Sequence, residues 1–238
     1  MSQPVRIKRI YKDVAVKPLG EGYGVTLDGR EARTLTRAAL AAPSETLATA
    51  AAAEWAAQGE LIDRQTMPLT ALLSAAIDAG DAGAAEWRDE ILTYLGSDLV
   101  CYRAETPAAL TARQQQVWDP YIDWLGEEFG ARLAVTQGVT AIAQPNEAIT
   151  QVARALETPA AFMLFGVYTA TKISGSAVLA LALWKEAWPA DDIFAASRLD
   201  EHFQEQRWGA DTEAKAREQQ LQKDFAAVAE FIRLMNEA

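Results

Sequence analysis

Hydrophobic and polar residues alternate along the first part of the chain, which is the pattern of half-buried β-strands. The alternating hydrophobic positions form two stretches, Val14 and Val16, then Tyr23, Val25 and Leu27. The glycine-rich segment 20–22 separates them, and the second stretch is followed by Asp28-Gly29, a favoured two-residue hairpin turn. These signals predict a small antiparallel sheet within residues 6–36.

After residue 43 the hydrophobic residues recur every three or four positions, which indicates helices. Ser44 is placed to cap the first helix and Asn146 a later one. Helices are predicted over 44–58, 67–79, 86–95, 114–129, 146–157 and 161–184, from about Asp191 to Gly209, and from about Asp211 onward. The predicted fold class is α+β, with a small antiparallel β-rich domain over 1–43 followed by a larger multi-helical domain over 44–238.

The most apolar part of the chain, residues 161–184, is long enough to span a membrane. Lys172 lies in its middle among several hydroxyl side chains, so we predict a buried central helix and no membrane insertion. Within this helix, Gly175 would let a neighbouring helix approach closely. In the helix predicted over 114–129, Pro120 either kinks the helix or marks its true start.

Residues 197–209 carry the densest set of candidate functional side chains. The segment contains the only histidine, several acids and a tryptophan, and it ends in glycine. As a helix it presents two faces. The first holds Leu199 and Phe203, and the second holds Glu201, Glu205 and Trp208. Two interpretations remain open, because Trp208 either belongs to a binding surface or folds back into the core where the helix stops.

Composition narrows the possible functions. The 238 residues carry a net charge of −11, which argues against non-specific nucleic-acid binding. One cysteine, Cys101, forms no internal disulfide, and one histidine, His202, excludes zinc sites with paired histidines, so no metal site is predicted. The amino terminus lacks an apolar signal core, so a cytoplasmic protein or an already trimmed organellar one fits best.

No enzyme motif stands out in the chain. Asp200, Glu201 and His202 could together supply acid–base chemistry. Adjacent residues on a helix point about 100° apart, so these three would not converge on one substrate atom. A protein-interaction role is therefore favoured. The alternative is an enzyme that uses the acidic helix 198–208 for acid–base chemistry.

Short motifs spread over nearly the whole chain carry a family resemblance. The early motifs are 9–12, 27–30, Glu54-Trp55, Gln58-Gly59 and 67–70. The later motifs are 98–103, 114–116, 118–120, 174–176 and Leu199-Asp200-Glu201-x-Phe203-Gln204-x-x-x-Trp208-Gly209. In order and spacing they resemble the motifs of the F1-ATP synthase assembly chaperones that act on the F1 α subunit. These chaperones are of the mitochondrial F1 assembly factor 2 type.

The resemblance implies a chaperone that binds the free F1 α subunit and shields its subunit-contacting surface until the β subunit arrives. It implies no reaction and no cofactor. An acidic position associated with function in the family falls on Glu201, and Asp200 and Glu205 are further candidates for client binding. Trp208 and Phe203 are the candidate aromatic anchors, because aromatic residues dominate interface hot spots.

The resemblance also implies a setting. A bacterial member would act in the cytoplasm, whereas eukaryotic relatives act in the mitochondrial matrix. The expected partner is the α subunit, with the chaperone itself a monomer. Residues 34–36 depart from the family pattern, because Thr-Leu-Thr stands where Thr-Pro is expected, which puts the end of that hairpin in doubt.

Overall fold

The alternating stretch forms the predicted antiparallel sheet. The structure is a computed structural model that describes residues 7–209 and 211–237. Its strands are β1 (Ile7–Lys8), β2 (Val14–Leu19), β3 (Gly22–Leu27), β4 (Arg30–Glu31), β5 (Ala41–Ala42), β6 (Leu61–Ile62), β7 (Tyr102–Arg103) and β8 (Thr136–Gln137). In one sheet β3 pairs with β2, β4 and β5. Between β3 and β4, Asp28 and Gly29 have φ of +48° and +78°, as the predicted hairpin turn requires.

Helices make up most of the remaining structure, and the α+β class is confirmed. They are α1 (Glu45–Ala56), α2 (Pro68–Ala79), α3 (Gly83–Gly96), α4 (Ala108–Phe129), α5 (Asn146–Ala155), α6 (Ala161–Ser174), α7 (Ala177–Trp184), α8 (Ala190–Ser197), α9 (Leu199–Trp208) and α10 (Thr212–Asn236). Ser44 caps α1 as predicted, because its Oγ accepts a 3.3 Å hydrogen bond from the Leu47 backbone N–H.

The described residues divide into two compact units. The first consists of residues 7–82 together with 230–237, and the second of residues 83–229. The last residues of α10 therefore belong to the first unit and its earlier residues to the second. The predicted domains 1–43 and 44–238 were drawn where strands give way to helices, and they stay a prediction.

In the first unit, α1 packs on β2 and β3 and also holds the start of α2. Met67 precedes α2 and provides no side-chain cap. Instead, the two carboxylate oxygens of Glu54 accept hydrogen bonds from free N–H groups in the first turn, those of Leu69 (2.8 Å) and Thr70 (2.7 Å). Two early motifs of the family resemblance thus join two helices.

In the second unit, the apolar segment 161–184 is two helices, not the single helix that we predicted. Gly175 ends α6 with a left-handed φ of +72°, and Ser176 caps α7 by accepting a hydrogen bond from the Leu179 N–H. A Cβ placed at Gly175 would contact no other atom. Glycine is therefore needed at this position for its positive φ and not for the close helix approach that we predicted. None of the described helices is long and apolar enough to cross a membrane.

Two helix starts also differ from the prediction. α4 begins at Ala108 and continues through Pro120, so the proline is not the start of the helix. Proline lacks an N–H, which leaves the Gln116 carbonyl without its helical partner. α5 begins at Asn146, whereas the capping position is Pro145, which makes no side-chain cap. Periodicity locates a helix better than it locates the first residue.

Candidate functional site

The segment predicted as one helix up to Gly209 consists of α8 and α9. The break lies at Arg198, which has φ −107° and ψ 16°. Just before it, the Ala196 carbonyl accepts a 2.9 Å hydrogen bond from the indole Nε1 of Trp118, which lies on α4. Just after it, Leu199 is buried. α9 therefore starts from a fixed junction between α4 and α8.

Trp208 lies on the surface at the end of α9. Its side chain is 68% exposed, so the interpretation in which Trp208 folds back into the core is wrong. Phe203 is partly buried. The guanidinium of Arg207 lies over both rings, 5.9 Å from the centre of Phe203 and 5.6 Å from that of Trp208. These cation–π contacts favour one arrangement of the two aromatic side chains.

The acids of α9 have different surroundings. Asp200 is partly buried and accepts a 2.8 Å hydrogen bond from Nε2 of Gln114. Burial raises the pKa of Asp200 above its ordinary value, although the hydrogen bond favours the charged form. Glu201 is exposed, and its Oε1 lies 3.1 Å from Nη1 of Arg198. Glu205 is partly buried.

Two open clefts border α9 on different sides. We call the first the tyrosine cleft; it has a volume of about 360 Å³ and is lined, among others, by Arg113, Val117, Tyr121, Trp188, Asp192 and His202. We call the second the serine cleft; it has a volume of about 310 Å³ and is lined by Leu99, Trp118, Ser174, Gly175, Ser197, Arg198, Asp200, Glu201 and Gln204. From α9, His202 lines the tyrosine cleft, whereas Asp200, Glu201 and Gln204 line the serine cleft.

The candidate acid–base residues do not meet in either cleft. Asp200 and Glu201 line the serine cleft, whereas His202 lines the tyrosine cleft. His202 Nε2 is also hydrogen-bonded to Glu218 on α10. The separation follows from the roughly 100° turn per residue of a helix. The arrangement thus lacks the convergence that acid–base chemistry needs, and the absence of enzymatic activity stays a prediction.

Near the serine cleft, the buried carboxylate of Asp98 joins two segments of the chain by three hydrogen bonds. Its Oδ1 accepts hydrogen bonds from Oγ of Ser176 (2.6 Å) and the Val100 N–H (3.2 Å), and its Oδ2 accepts one from the Val178 N–H (3.0 Å). Burial raises the pKa of Asp98 to about 6, against the effect of these hydrogen bonds. The motifs 98–103 and 174–176 therefore meet in the core, where they order the start of α7.

We expect the free energy of unfolding to depend on pH through the titration of Asp98. Because its pKa is raised from 3.8 to about 6, the folded chain binds this proton more tightly than the unfolded chain. The resulting stabilisation is complete below about pH 4 and is lost as the pH rises through about 6. Relative to Asp98→Asn, which does not titrate, the wild-type free energy of unfolding should fall by roughly 2–3 kcal/mol from pH 4 to pH 7. Urea unfolding measures it, and a difference independent of pH would contradict it.

The residues that support α9 lie far apart in the sequence, and no sequence pattern connects them. Gln114 lies in the motif 114–116 of the family resemblance, but its contact with Asp200 joins positions far apart in the chain. Arg103 is buried, donates hydrogen bonds to the Val100 carbonyl and to Asp119, and lies over the ring of Trp118. The available signal was that Gln114 and Arg103 both lie in motifs that carry the family resemblance.

The described residues contain no group of three or more His, Cys, Asp or Glu side chains that could hold a metal ion. Cys101 is buried, and burial raises the pKa of its thiol to about 12, so its thiolate form is disfavoured. Within the described ranges, the geometry around α9 thus presents an exposed aromatic ring, three acids and two open clefts. These features suit recognition of a protein surface better than a chemical reaction.

Comparison with known proteins gives the family. A model of the family described as ATP12 chaperone protein matches residues 8–126. The crystal structure of Atp12 from Paracoccus denitrificans is 33% identical, covers 96% of this chain and 98% of that chain, and has a TM-score of 0.92. An aspartate-to-lysine mutant of the same protein gives the same values. A candidate chaperone from Agrobacterium tumefaciens is 37% identical, covers 95% of this chain and 85% of that chain, and has a TM-score of 0.91.

The family match and the structural matches agree with each other. The first covers residues 8–126, half of the chain, and the others cover almost all of it, so the resemblance carried by the short motifs is confirmed. The agreement in fold extends over both the strands and the helices, because TM-scores above 0.9 are obtained over nearly the full length. The chain belongs to the ATP12 chaperone protein family.

Proposed function

We propose that this chaperone takes part in F1-ATP synthase assembly by binding the free F1 α subunit. It shields the subunit interface of α until the β subunit arrives. The observation that carries the proposal is Trp208, which is 68% exposed on an acidic helix of a chaperone-family protein. The choice of the α subunit is supported by the motifs that resemble the assembly chaperones acting on that subunit.

The proposed contact is the α9 surface, which we define as Asp200, Glu201, Phe203, Glu205 and Trp208. An exposed tryptophan presents a large apolar surface to water, so Trp208 is well suited to insert into an apolar part of the client. Arg207 holds the rings of Phe203 and Trp208 together, which reduces the side-chain ordering needed on binding.

The acids of the α9 surface, Asp200, Glu201 and Glu205, orient the client as it approaches. Charged groups at the rim of an interface change the association rate and the partner choice more than the affinity. The chain carries a net charge of −11, so a client surface with basic groups would be attracted over distances up to about a Debye length. Release follows when β competes for the same surface of α.

The chaperone acts as a monomer in the bacterial cytoplasm, without a cofactor, and its partner is a protein rather than nucleic acid or a membrane. It catalyses no reaction. Gel filtration of the purified protein with light scattering tests the monomer, since a dimer would elute at twice the mass of 25.9 kDa.

Alanine at Trp208 is expected to weaken binding of purified F1 α subunit that is free of β. The expected loss is about 2 kcal/mol, or roughly 30-fold in Kd, because a central aromatic anchor is removed. Glu201→Ala is expected to cost about fivefold, mainly through a slower association rate at low salt. Calorimetric titration gives the affinities, and stopped-flow fluorescence gives the rates.

The controls use residues of the same kind elsewhere in the second unit. Val139→Ala removes an exposed hydrophobic side chain, and Glu157→Ala removes an exposed carboxylate. All variants should melt like the wild type. Equal loss in Val139→Ala and Trp208→Ala would show that the site lies elsewhere. No binding of the wild type to free α would sink the proposed function.

A further inference from the structure

Asp200 is a partly buried carboxylate for which the described residues supply a hydrogen bond and no ion pair. Its contact is the 2.8 Å hydrogen bond from Gln114 Nε2, a neutral amide. Arg103 lies near enough to favour the charged form of Asp200, but its guanidinium donates to the Val100 carbonyl and to Asp119. Removing a carboxylate from water without a cation costs free energy. A cation that reached Asp200 from outside would recover that cost.

The serine cleft gives such a cation access. Asp200 lines this open cleft of about 310 Å³, which is at the small end of the range of about 300–1,000 Å³ for ligand sites. At Gly175 the wall has no side chain, and the space next to it is open. Leu99 supplies apolar surface. A cleft of this volume has room for one long side chain.

The two serines in the wall have already donated their protons. Ser197 Oγ donates to the Phe194 carbonyl (2.7 Å), and Ser174 Oγ donates to the Ser176 carbonyl (3.1 Å). Each oxygen also accepts a hydrogen bond within the protein, Ser197 Oγ from Arg198 Nε (3.4 Å) and Ser174 Oγ from the Ser176 N–H (3.3 Å). Both serines are buried, so they have no proton to donate to a ligand. The acceptors that the wall offers to a ligand are therefore mainly the carboxylates of Asp200 and Glu201, which favour a ligand rich in donors.

The charges of the cleft sum to one unbalanced negative charge. Arg198 is the cation of the lining, and its Nη1 lies 3.1 Å from Oε1 of Glu201. This pair cancels, and Asp200 remains. Because Glu201 is exposed, its pair with Arg198 is weak and can be exchanged. A single positive charge therefore complements the cleft.

We propose that the serine cleft receives one basic side chain, arginine or lysine, of the client, and that Asp200 pairs with its cation. The proposal rests on the proposed function and adds the chemical group that the client presents. Glu201 at the rim binds the same cation after exchange with Arg198. Trp208 and the serine cleft then make two different contacts, one apolar and one ionic, with the same client.

The first experiment measures binding of purified F1 α subunit to Asp200→Asn. Asparagine keeps an oxygen for Gln114 and removes the charge, so the fold should be unchanged. We expect about tenfold weaker binding and a shallower dependence of Kd on salt, because a charge-assisted hydrogen bond is lost. The matched control is Asp192→Asn, an exposed aspartate in the tyrosine cleft, which should bind like the wild type. Equal binding by Asp200→Asn and wild type would overturn the inference and leave the proposed function standing.

The second experiment needs no client. The full chain, labelled with ¹⁵N, is titrated with N-acetyl-arginine methylamide and with its uncharged citrulline counterpart at millimolar concentration. We expect the arginine compound alone to shift the side-chain amide signal of Gln114, and the shift to disappear in Asp200→Asn. Equal shifts with both compounds, or no shift at Gln114, would overturn the inference. If free α failed to bind the wild type, the proposed function would be wrong, and this titration would still show whether the serine cleft binds an arginine side chain.

Discussion

Replacing Asp98 with alanine is expected to lower the free energy of unfolding by about 3–5 kcal/mol. The substitution leaves three buried donors without an acceptor, namely Oγ of Ser176 and the N–H groups of Val100 and Val178. Each unsatisfied buried donor costs about 1–3 kcal/mol. Two of them lie at the start of the fully buried helix α7, so the loss is expected to affect the whole second unit. Urea unfolding followed by circular dichroism measures the change.

Asp63→Ala is the matched control for this prediction. Both aspartates cap a short 3₁₀ helix by accepting a hydrogen bond from the N–H two residues later. Asp63 is exposed, so water can replace its contact and the expected cost is about 1 kcal/mol or less. If the two substitutions destabilised the protein equally, the buried network around Asp98 would not be the reason for its effect.

Replacing Trp118 with alanine is also expected to cost about 3–5 kcal/mol. Its ring is 1% exposed, and its Nε1 holds the Ala196 carbonyl just before α9. The change removes a large buried side chain, leaves a cavity and frees the junction of α4 and α8. Trp118→Phe keeps most of the volume and loses the hydrogen bond, so a smaller cost of about 1–2 kcal/mol is expected.

Trp208→Ala makes the same chemical change on the surface and serves as the comparison. Its expected effect on the free energy of unfolding lies within about ±0.5 kcal/mol, because its side chain is 68% exposed. Opposite results are therefore expected for the two tryptophans. Trp118→Ala should lower the free energy of unfolding, whereas Trp208→Ala should weaken client binding. A stability loss of several kcal/mol in Trp208→Ala would contradict the assignment of this residue to the α9 surface.

The motifs that identify the family are mostly structural. Glu54 holds the first turn of α2, Asp98 and Ser176 order the start of α7, and Trp118 and Gln114 support the segment that leads into α9. Such residues hold helices in place and need not touch the client. The residues proposed for client contact form a small part of the motif set.

The sequence by itself determined the features that depend on neighbouring residues. Alternation and the Asp28-Gly29 turn predicted the hairpin of β2 to β4, and the Ser44 cap predicted the start of α1. Helix periodicity predicted most helices and the α+β class. These signals are local, because side-chain direction repeats every 2 residues in a strand and every 3.6 residues in a helix.

Only the tertiary structure decided the features that depend on distant residues or on a single backbone angle. The apolar segment 161–184 has too little periodicity to show a break, and the break at Gly175 is a matter of one positive φ. The pairings of β1 with β6 and of β7 with β8 involve two residues per strand, too few for a pattern.

The candidate site is also a feature that only the tertiary structure decided. Its acids and aromatic residues were visible in the sequence, but their roles were not. Trp208 could have been core or surface until burial was known. The hydrogen bond of Asp200 to a neutral amide, Gln114 on another helix, was not visible in the sequence either. Burial and unpaired charge are properties of an environment built from distant segments, so residue spacing carries no signal for them.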